Sequence, residues 1–507
     1  MAHRWVVSLI VALGFFLLAS TVVGIYFGLV AKQLLDDPDL SQYPTNITPS
    51  SLYVPVDHFP DESIYEPHSD DSFALRYWFD AQYYRKGGPV IIVPAGERPG
   101  ENTIRLLSHG IVQELAKATG GIGVVLEHRY YGKSFPVPDL EAKNMRFLST
   151  EQALADMAYF AEHVQFPGLQ EHNLAPFNTP YIIYGEYYEA VRRFAPADCA
   201  STTQKFIQGI DNILLHGDED QKDKLKSVFG LTGLRDDAFA SSISLGIQGF
   251  QSNHWHPNAF SINFGVYCGI VTSDDILFSH TRHLAPFVRD WLSVHKHEEN
   301  LLHRSLNYIG YVRSILQNFR QTRCKNKTLD ECYSVRGFSN ETGLDQGPER
   351  AWMYQQCSEW GFFKTGSGVP IHQSPLISRL VDLWYLTTPC RESFNIVEPP
   401  RVESINKLGG WNFRFPRVAF VSGEHDPWRA ATPHRIGHAP RPSTVSEPSI
   451  LLDGGGHGWE AALQPEGIEF GLPLPAVADA QRKIVEFTQA WLEESYRHRG
   501  SQLAVDG

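Results

Sequence analysis

Two runs without a polar residue, Val90-Ile-Ile-Val93 and Ile122-Gly-Val-Val-Leu126, flank a stretch around Ile104–Ala118 whose apolar residues recur at helical spacing. Strand, helix, strand, with both strands apolar on each face, predicts a parallel sheet covered by helices. Two shorter strands are expected ahead of them, Leu52-Tyr-Val-Pro-Val56 and Phe73–Phe79. Pro55 suits an edge strand, because proline lacks the N–H that a central ladder needs. Glu151–Val164 reads as a second helix, followed by a strand at Pro180-Tyr-Ile-Ile-Tyr184. From residue 186 to about 400 the pattern changes to amphipathic helical stretches such as Leu301–Phe319. The strand pattern then resumes at Val418-Ala-Phe-Val421 and Ile450-Leu-Leu452, and the chain closes on an amphipathic helix, Asp479–Tyr496.

Composition fixes the class and the compartment. The chain has 507 residues, of which 42% are hydrophobic and 20% charged, a globular balance with room for two or three domains. Its net charge of −13 and the lack of any long basic run argue against nucleic acid as a partner. Trp5 to Ala31 carries no charge and follows Arg4, which marks residues 1–31 as a signal peptide or signal anchor. Val22-Val-Gly24 is a weak cleavage site, so cleavage and anchoring both stay open; a membrane is a partner only if the segment is retained. Residues 32–51 read as a polar linker, 52–185 and 401–497 as two halves of an α/β domain, 186–400 as a helical insertion and 498–507 as a tail. The six cysteines, Cys199, Cys268, Cys324, Cys332, Cys357 and Cys390, all fall in the insertion. An even number in the secretory pathway predicts disulfides, with fifteen pairings open. Sequons at Asn46, Asn326 and Asn340 agree with that compartment.

The candidate chemistry sits at the ends of the last two strands. Asp426 follows Val421 in Ser-Gly-Glu-His-Asp426-Pro-Trp428, and His457 follows Leu452 in Gly454-Gly-Gly-His457-Gly-Trp459. An isolated Asp-Pro is ordinarily a turn, and a histidine among glycines an ordinary loop residue. Their order, each past a short buried strand, instead matches the last two members of an α/β-hydrolase triad. The nucleophile should end the strand at Tyr181 in a Gly-x-Ser-x-Gly elbow. The chain reads Tyr184-Gly185-Glu-Tyr-Tyr-Glu189, with no serine. Trp428 and Trp459 could wall an apolar pocket for a proline ring or be ordinary core.

An ordered series of motifs sharpens the reading: Tyr53-Val-Pro-Val-Asp57-His-Phe59, Arg76-Tyr-Trp78, Gly88-Pro-Val90, Gly96-Glu97, Glu127-His-Arg-Tyr-Tyr-Gly-Lys-Ser134-Phe-Pro136, Glu151-Gln-Ala-Leu-Ala-Asp156, Asp426-Pro-Trp428 and Gly455-Gly-His457. From about residue 52 to 495 the chain resembles the serine carboxypeptidase family of lysosomal Pro-Xaa carboxypeptidase and dipeptidyl peptidase II, and within it the fungal secreted members. The resemblance implies an α/β-hydrolase fold with a helical cap, here expected to be stapled by disulfides. It also implies exopeptidase cleavage after proline at acidic pH, with peptide substrates and no cofactor. Asp426 would be the triad acid, His457 the general base, and the backbone at Gly96 and Glu97 would lie beside the oxyanion site.

The departure from the family lies after Gly185. The family continues Gly-Gly-Ser-Tyr-x-Gly, a helix and another strand before its Glu-Tyr-Tyr-Glu segment; this chain passes directly to Glu186. One elbow, one helix and one strand amount to roughly 35–40 residues. Their absence removes the nucleophile and one oxyanion donor, and predicts a central sheet interrupted after Gly185 and an unstable chain. Ser134 is the alternative nucleophile but has no elbow around it. A natural non-catalytic homologue that binds peptides is the competing reading. His254-Trp-His256 and His295-Lys-His297 do not form a zinc motif, so no metal is expected. Neither the motifs nor the composition excludes a homodimer.

Overall fold

The structure is a computed structural model that describes residues 47–176, 178–183, 195–252, 263–292, 299–338, 340–407, 409–429, 431–461 and 475–503. The N-terminal apolar segment, Asn46, the Gly185–Glu186 junction and the paired histidines His254, His256, His295 and His297 lie outside those residues. The architecture is mixed α/β, consistent with the α/β-hydrolase expectation.

Five strands form the main sheet: β1 (Ser50–Pro55), β2 (Ser72–Asp80), β3 (Val90–Pro94), β4 (Ile122–Leu126) and β5 (Tyr181–Ile183). Their spatial order is β1-β2-β4-β3-β5. The two apolar runs occupy the centre, as their lack of polar residues requires. β3 pairs parallel with β4 from Val90↔Ile122 to Pro94↔Leu126, and with β5 from Val90↔Tyr181 to Ile92↔Ile183. β1 lies at the edge, antiparallel to β2, with Pro55 opposite Ser72 at its end. Alternate residues feed two cores. Val90, Ile92, Val124 and Leu126 face one side; Ile91, Val93 and Val125 face the other.

The crossover between β3 and β4 differs from the single helix expected. It breaks at Gly110 into a short helix, Arg105–His109, and α1 (Ile111–Thr119). Gly110 is extended, and a Cβ there would lie 2.6 Å from the Leu106 side chain. Breaking the helix lets the Ile111 N–H donate to the Ala461 carbonyl at 3.0 Å, a tie to the distant histidine loop. α2 (Thr150–His163) starts at Ser149, whose side chain accepts from the Gln152 N–H. The Thr150 N–H and hydroxyl both donate to Glu359, 3.0 and 2.9 Å away.

The helical block carries its own core, in which α3 (Ala197–His216), α4 (Asn263–Val271) and α5 (Glu299–Arg323) contribute Phe206, Ile210, Tyr267, Leu306 and Tyr308. Its far end does not stand apart: Ala351, Cys357, Cys390 and Phe394 pack into the core on one face of the main sheet. All six cysteines are bonded, as Cys199–Cys268, Cys324–Cys332 and Cys357–Cys390.

The last two strands, β6 (Phe420–Gly423) and β7 (Ser449–Leu452), form a separate parallel pair. No ladder joins them to the five-stranded sheet among the described residues. The described strands thus form two separate ladders, one of five strands and one of two. The pair is held instead by side-chain packing: Ile450, Leu452 and residues of α6 (Pro475–Leu503), namely Val477, Ala480 and Ile484, share a core with Ile91, Val93 and α1.

Candidate active site

Asp426 and His457 come together through the turns that leave β6 and β7. The Glu424 N–H donates to the Leu452 carbonyl at 2.8 Å, and the His425 N–H to Gly455 at 2.7 Å. Glu424 accepts in return from the Gly454 N–H at 3.1 Å. The two loops are thereby fastened before any side chain of the pair is considered. Gly423 permits the approach: a Cβ there would lie 2.3 Å from the Gly456 carbonyl oxygen.

Asp426 is 2% exposed, and its Oδ1 accepts from the Trp428 N–H at 2.8 Å. Its Oδ2 lies 3.2 Å from His457 Nδ1. A buried carboxylate beside Nδ1 favours the tautomer with the proton on that nitrogen, which turns Nε2 into the basic atom. Such a pair can accept a proton from a neighbouring hydroxyl and return it to a leaving amine. Its spacing is at the long end of the hydrogen-bond range, as is common for catalytic contacts without substrate.

Gly96 and Glu97 line a cavity of about 520 Å³ whose other walls include Trp360, Phe362, Lys364 and Trp428. Gly96 has φ +68, a conformation natural to glycine. Glu97 is 3.7 Å from Arg98. Trp428 faces this cavity, whereas Trp459 packs against the core shared by the two sheets.

Ser134 serves the scaffold. It is fully buried; its Oγ donates to Glu127 at 2.7 Å and accepts from the Arg76 N–H at 2.9 Å. Glu127 also takes two bonds from the Arg76 guanidinium, at 2.8 and 2.6 Å, and one from the Gly100 N–H at 2.9 Å. Gly132, at φ +58, turns the loop so closely around this carboxylate that a Cβ would lie 1.9 Å from its Oε1. The hydroxyl is consumed by this network and has no elbow to present it.

Three residues near the site were not singled out from the sequence as functional. His434 bridges β6 and β7: its Nδ1 is 2.9 Å from Ser422 Oγ and its Nε2 2.7 Å from Ser449 Oγ. Burial, with the Arg429 and Arg441 charges nearby, pushes its pKa down to about 4. His128, on the cavity wall, donates from Nδ1 to the Arg129 carbonyl at 2.7 Å, and burial lowers its pKa as well. Lys364 Nζ lies 5.3 Å from the centre of the Trp428 ring. Lys364 meets Trp428 from a distant segment of the chain, whereas His128 bonds the carbonyl of the residue that follows it.

Asn326, at φ +67 in the turn closed by Cys324–Cys332, and Asn340 are both exposed. Among the described residues no cluster of three or more His, Cys, Asp or Glu could hold a metal ion, and no helix is long and apolar enough to cross a membrane.

The chain matches the family described as Serine carboxypeptidase S28 over residues 55–192 and 271–463. It is 37% identical to a protein of Arthroderma benhamiae named "Probable extracellular serine carboxypeptidase", an alignment covering 87% of this chain and 68% of that one. Serine protease vicPb of Bipolaris victoriae is 27% identical, with 76% and 80% covered. The thymus-specific serine protease of Mus musculus is 24% identical, with 83% and 84% covered. The Arthroderma alignment runs over 486 positions, yet 87% of 507 residues is about 441; about 45 positions of the relative thus face no residue here.

Proposed function

Because this chain belongs to the serine carboxypeptidase S28 family, and so to the serine-type peptidases, we propose that it derives from a secreted exopeptidase acting after proline at acidic pH, and that it cannot acylate as written. Asp426 is the triad acid and His457 the general base. In the complete enzyme His457 Nε2 takes the serine proton as the oxygen attacks the peptide carbonyl. It then protonates the departing amine, leaving an acyl-enzyme that water hydrolyses. The backbone by Gly96 and Glu97 lies on the oxyanion side, and Trp428, which faces the cavity, belongs to the neighbourhood of the proline ring, whereas Trp459 goes with the core. The division into an α/β domain of two halves (52–185 and 401–497) and a helical cap (186–400) goes with this reading. So do glycans on Asn326 and Asn340, which a shift in mass on enzymatic deglycosylation would reveal.

The observation that carries the reading is the 3.2 Å contact between His457 and Asp426 on loops past adjacent parallel strands. Two further observations support a lost block. β5 ends one sheet while β6 and β7 form another, and about 45 positions of the Arthroderma relative have no partner here. A skipped exon or a misassigned gene boundary accounts for both, since the flanks match the family on each side. The test is the genomic sequence between the codons for Gly185 and Glu186. An in-frame segment encoding Gly-Ser-Tyr, a helix and a strand is the expected result. Uninterrupted coding across the junction would instead favour the natural non-catalytic homologue.

A further inference from the structure

A cavity that receives a peptide must answer the peptide's own polar groups, because each N–H or C=O buried without a partner is costly. Along an extended chain the N–H and C=O of one residue point to the same side. One acceptor and one donor on a single wall therefore suit one extended residue.

The cavity beside Gly96 and Glu97 has such a wall. His128 stands two residues past β4 and Gly96 two residues past β3, at the carboxyl ends of neighbouring parallel strands. That is the end at which α/β sheets hold their ligands. His128 Nδ1 is 2.7 Å from the Arg129 carbonyl oxygen, which can only accept, so Nδ1 carries the ring proton. In the neutral ring Nε2 then keeps its lone pair. Burial, with the Arg129 charge, lowers the His128 pKa against the opposing influence of the Arg129 carbonyl, Asp156 and Glu97. Nε2 has no hydrogen-bond partner among the described residues.

The matching donor lies across Tyr131. The Tyr131 ring meets that of His128 edge-on, with centroids 5.4 Å apart, and its hydroxyl donates to Gln355 Oε1 at 2.5 Å. Burial keeps the Tyr131 phenol protonated, so it is Oε1 that faces the phenol. The Gln355 Nε2 protons are unclaimed among the described residues. His128, Tyr131 and Gln355 all line the cavity. Gln355 ends the helix Gly347–Gln355, and the following turn is locked by Cys357–Cys390 and by Glu359, which accepts from Thr150. Two other amides on the wall are committed: Gln248 Nε2 donates to Ser244 Oγ at 2.7 Å, and Gln356 Nε2 to the Phe362 carbonyl at 2.8 Å.

We infer that His128 and Gln355 read the backbone of a bound peptide: His128 Nε2 accepts the N–H, and Gln355 Nε2 donates to the C=O, of one extended residue. The inference rests on the peptidase reading above and adds a specificity rule to it. The residue held by the pair must possess an N–H, so proline and N-methylated residues are refused there. Aromatic walls such as Trp352, Trp360 and Phe363 keep water from competing for the two bonds.

Binding tests this without any nucleophile. The purified full chain would be titrated calorimetrically at pH 7 with acetyl-alanyl-alanyl-prolyl-phenylalanine. Three analogues, N-methylated at the first alanine, the second alanine or the phenylalanine, would be titrated separately. One analogue is expected to bind about tenfold to a hundredfold more weakly than the parent, and the other two nearly as well. His128→Phe, which keeps a ring and removes the acceptor, should weaken the parent to the level of that analogue and erase the difference between them. His128→Gln, which can place an oxygen near the position of Nε2, should retain most of it. Gln355→Met should weaken the parent but leave the N-methyl penalty in place. Equal binding of all four compounds, a penalty that survives in His128→Phe, or no binding of the parent would overturn the inference. The comparison of the four compounds uses the unaltered chain, so it stands even where a variant does not fold. None of these results bears on whether a serine is encoded at the junction, which the genomic sequence decides separately.

Discussion

The two sheets of this protein differ in what holds them. In the first, β3 and β4 lie between other strands, and almost every side chain is buried on one face or the other. In the second, β6 and β7 pair only with each other among the described residues, and Leu451 is 42% exposed. β5, the strand that should lead to the nucleophile, is also under-covered: Ile183 is 59% exposed. Among the described residues no ladder ties the pair that carries Asp426 and His457 to β5. The approach of Asp426 to His457 is set locally, by the Glu424–Leu452 and His425–Gly455 bonds.

The largest difference should appear when the cores are cut. Ile92→Ala, at a fully buried position in β3, should cost about 2–5 kcal/mol in urea unfolding. Leu451→Ala, on the exposed face of β7, should cost under about 1 kcal/mol. Equal costs would mean that the second pair is as firmly built as the first.

The next effect depends on pH. His434 titrates near its ordinary 6.5 when unfolded but at about 4 when folded, since its neutral ring is held between Ser422 and Ser449. The unfolded chain therefore binds the extra proton first. The stabilisation is complete above pH 6.5, declines as the pH falls, and is gone below about 4, amounting to about 3 kcal/mol at most. His434→Gln should flatten this part of the stability–pH curve measured by denaturant melts. An unchanged slope would place the titrating group elsewhere.

The smallest effect lies at a helix cap of the intact half. Ser149→Ala removes the acceptor for the Gln152 N–H and should cost about 1 kcal/mol in the same melts. Amide exchange gives an independent view: β6 and β7 should exchange through local opening well before β3 and β4, which should open only with global unfolding.

Much of this was legible beforehand, for reasons that belong to particular residues. Val90–Val93 and Ile122–Leu126 could only be central strands, because each lacks any polar position to turn toward water. Asp426 and His457 were readable because turn and strand lie within a few residues of each. Gly110 was not: its break in the crossover exists to meet Ala461, far along the chain. The same holds for His434, whose two serine partners flank it on different strands, and for Lys364, which reaches Trp428 only in the folded molecule. The packing of Cys357, Cys390 and Phe394 with the main sheet was likewise hidden, since the local pattern there is simply helical.

The central claim is that the Asp426–His457 pair remains here without its nucleophile. The direct measurement is covalent labelling of the purified full chain by a fluorophosphonate probe, read by intact mass. The account predicts no adduct on this chain. It predicts one adduct per molecule, on the elbow serine, once the segment encoded between Gly185 and Glu186 is restored. An adduct on the chain as written, at Ser134 or any other residue, would contradict it.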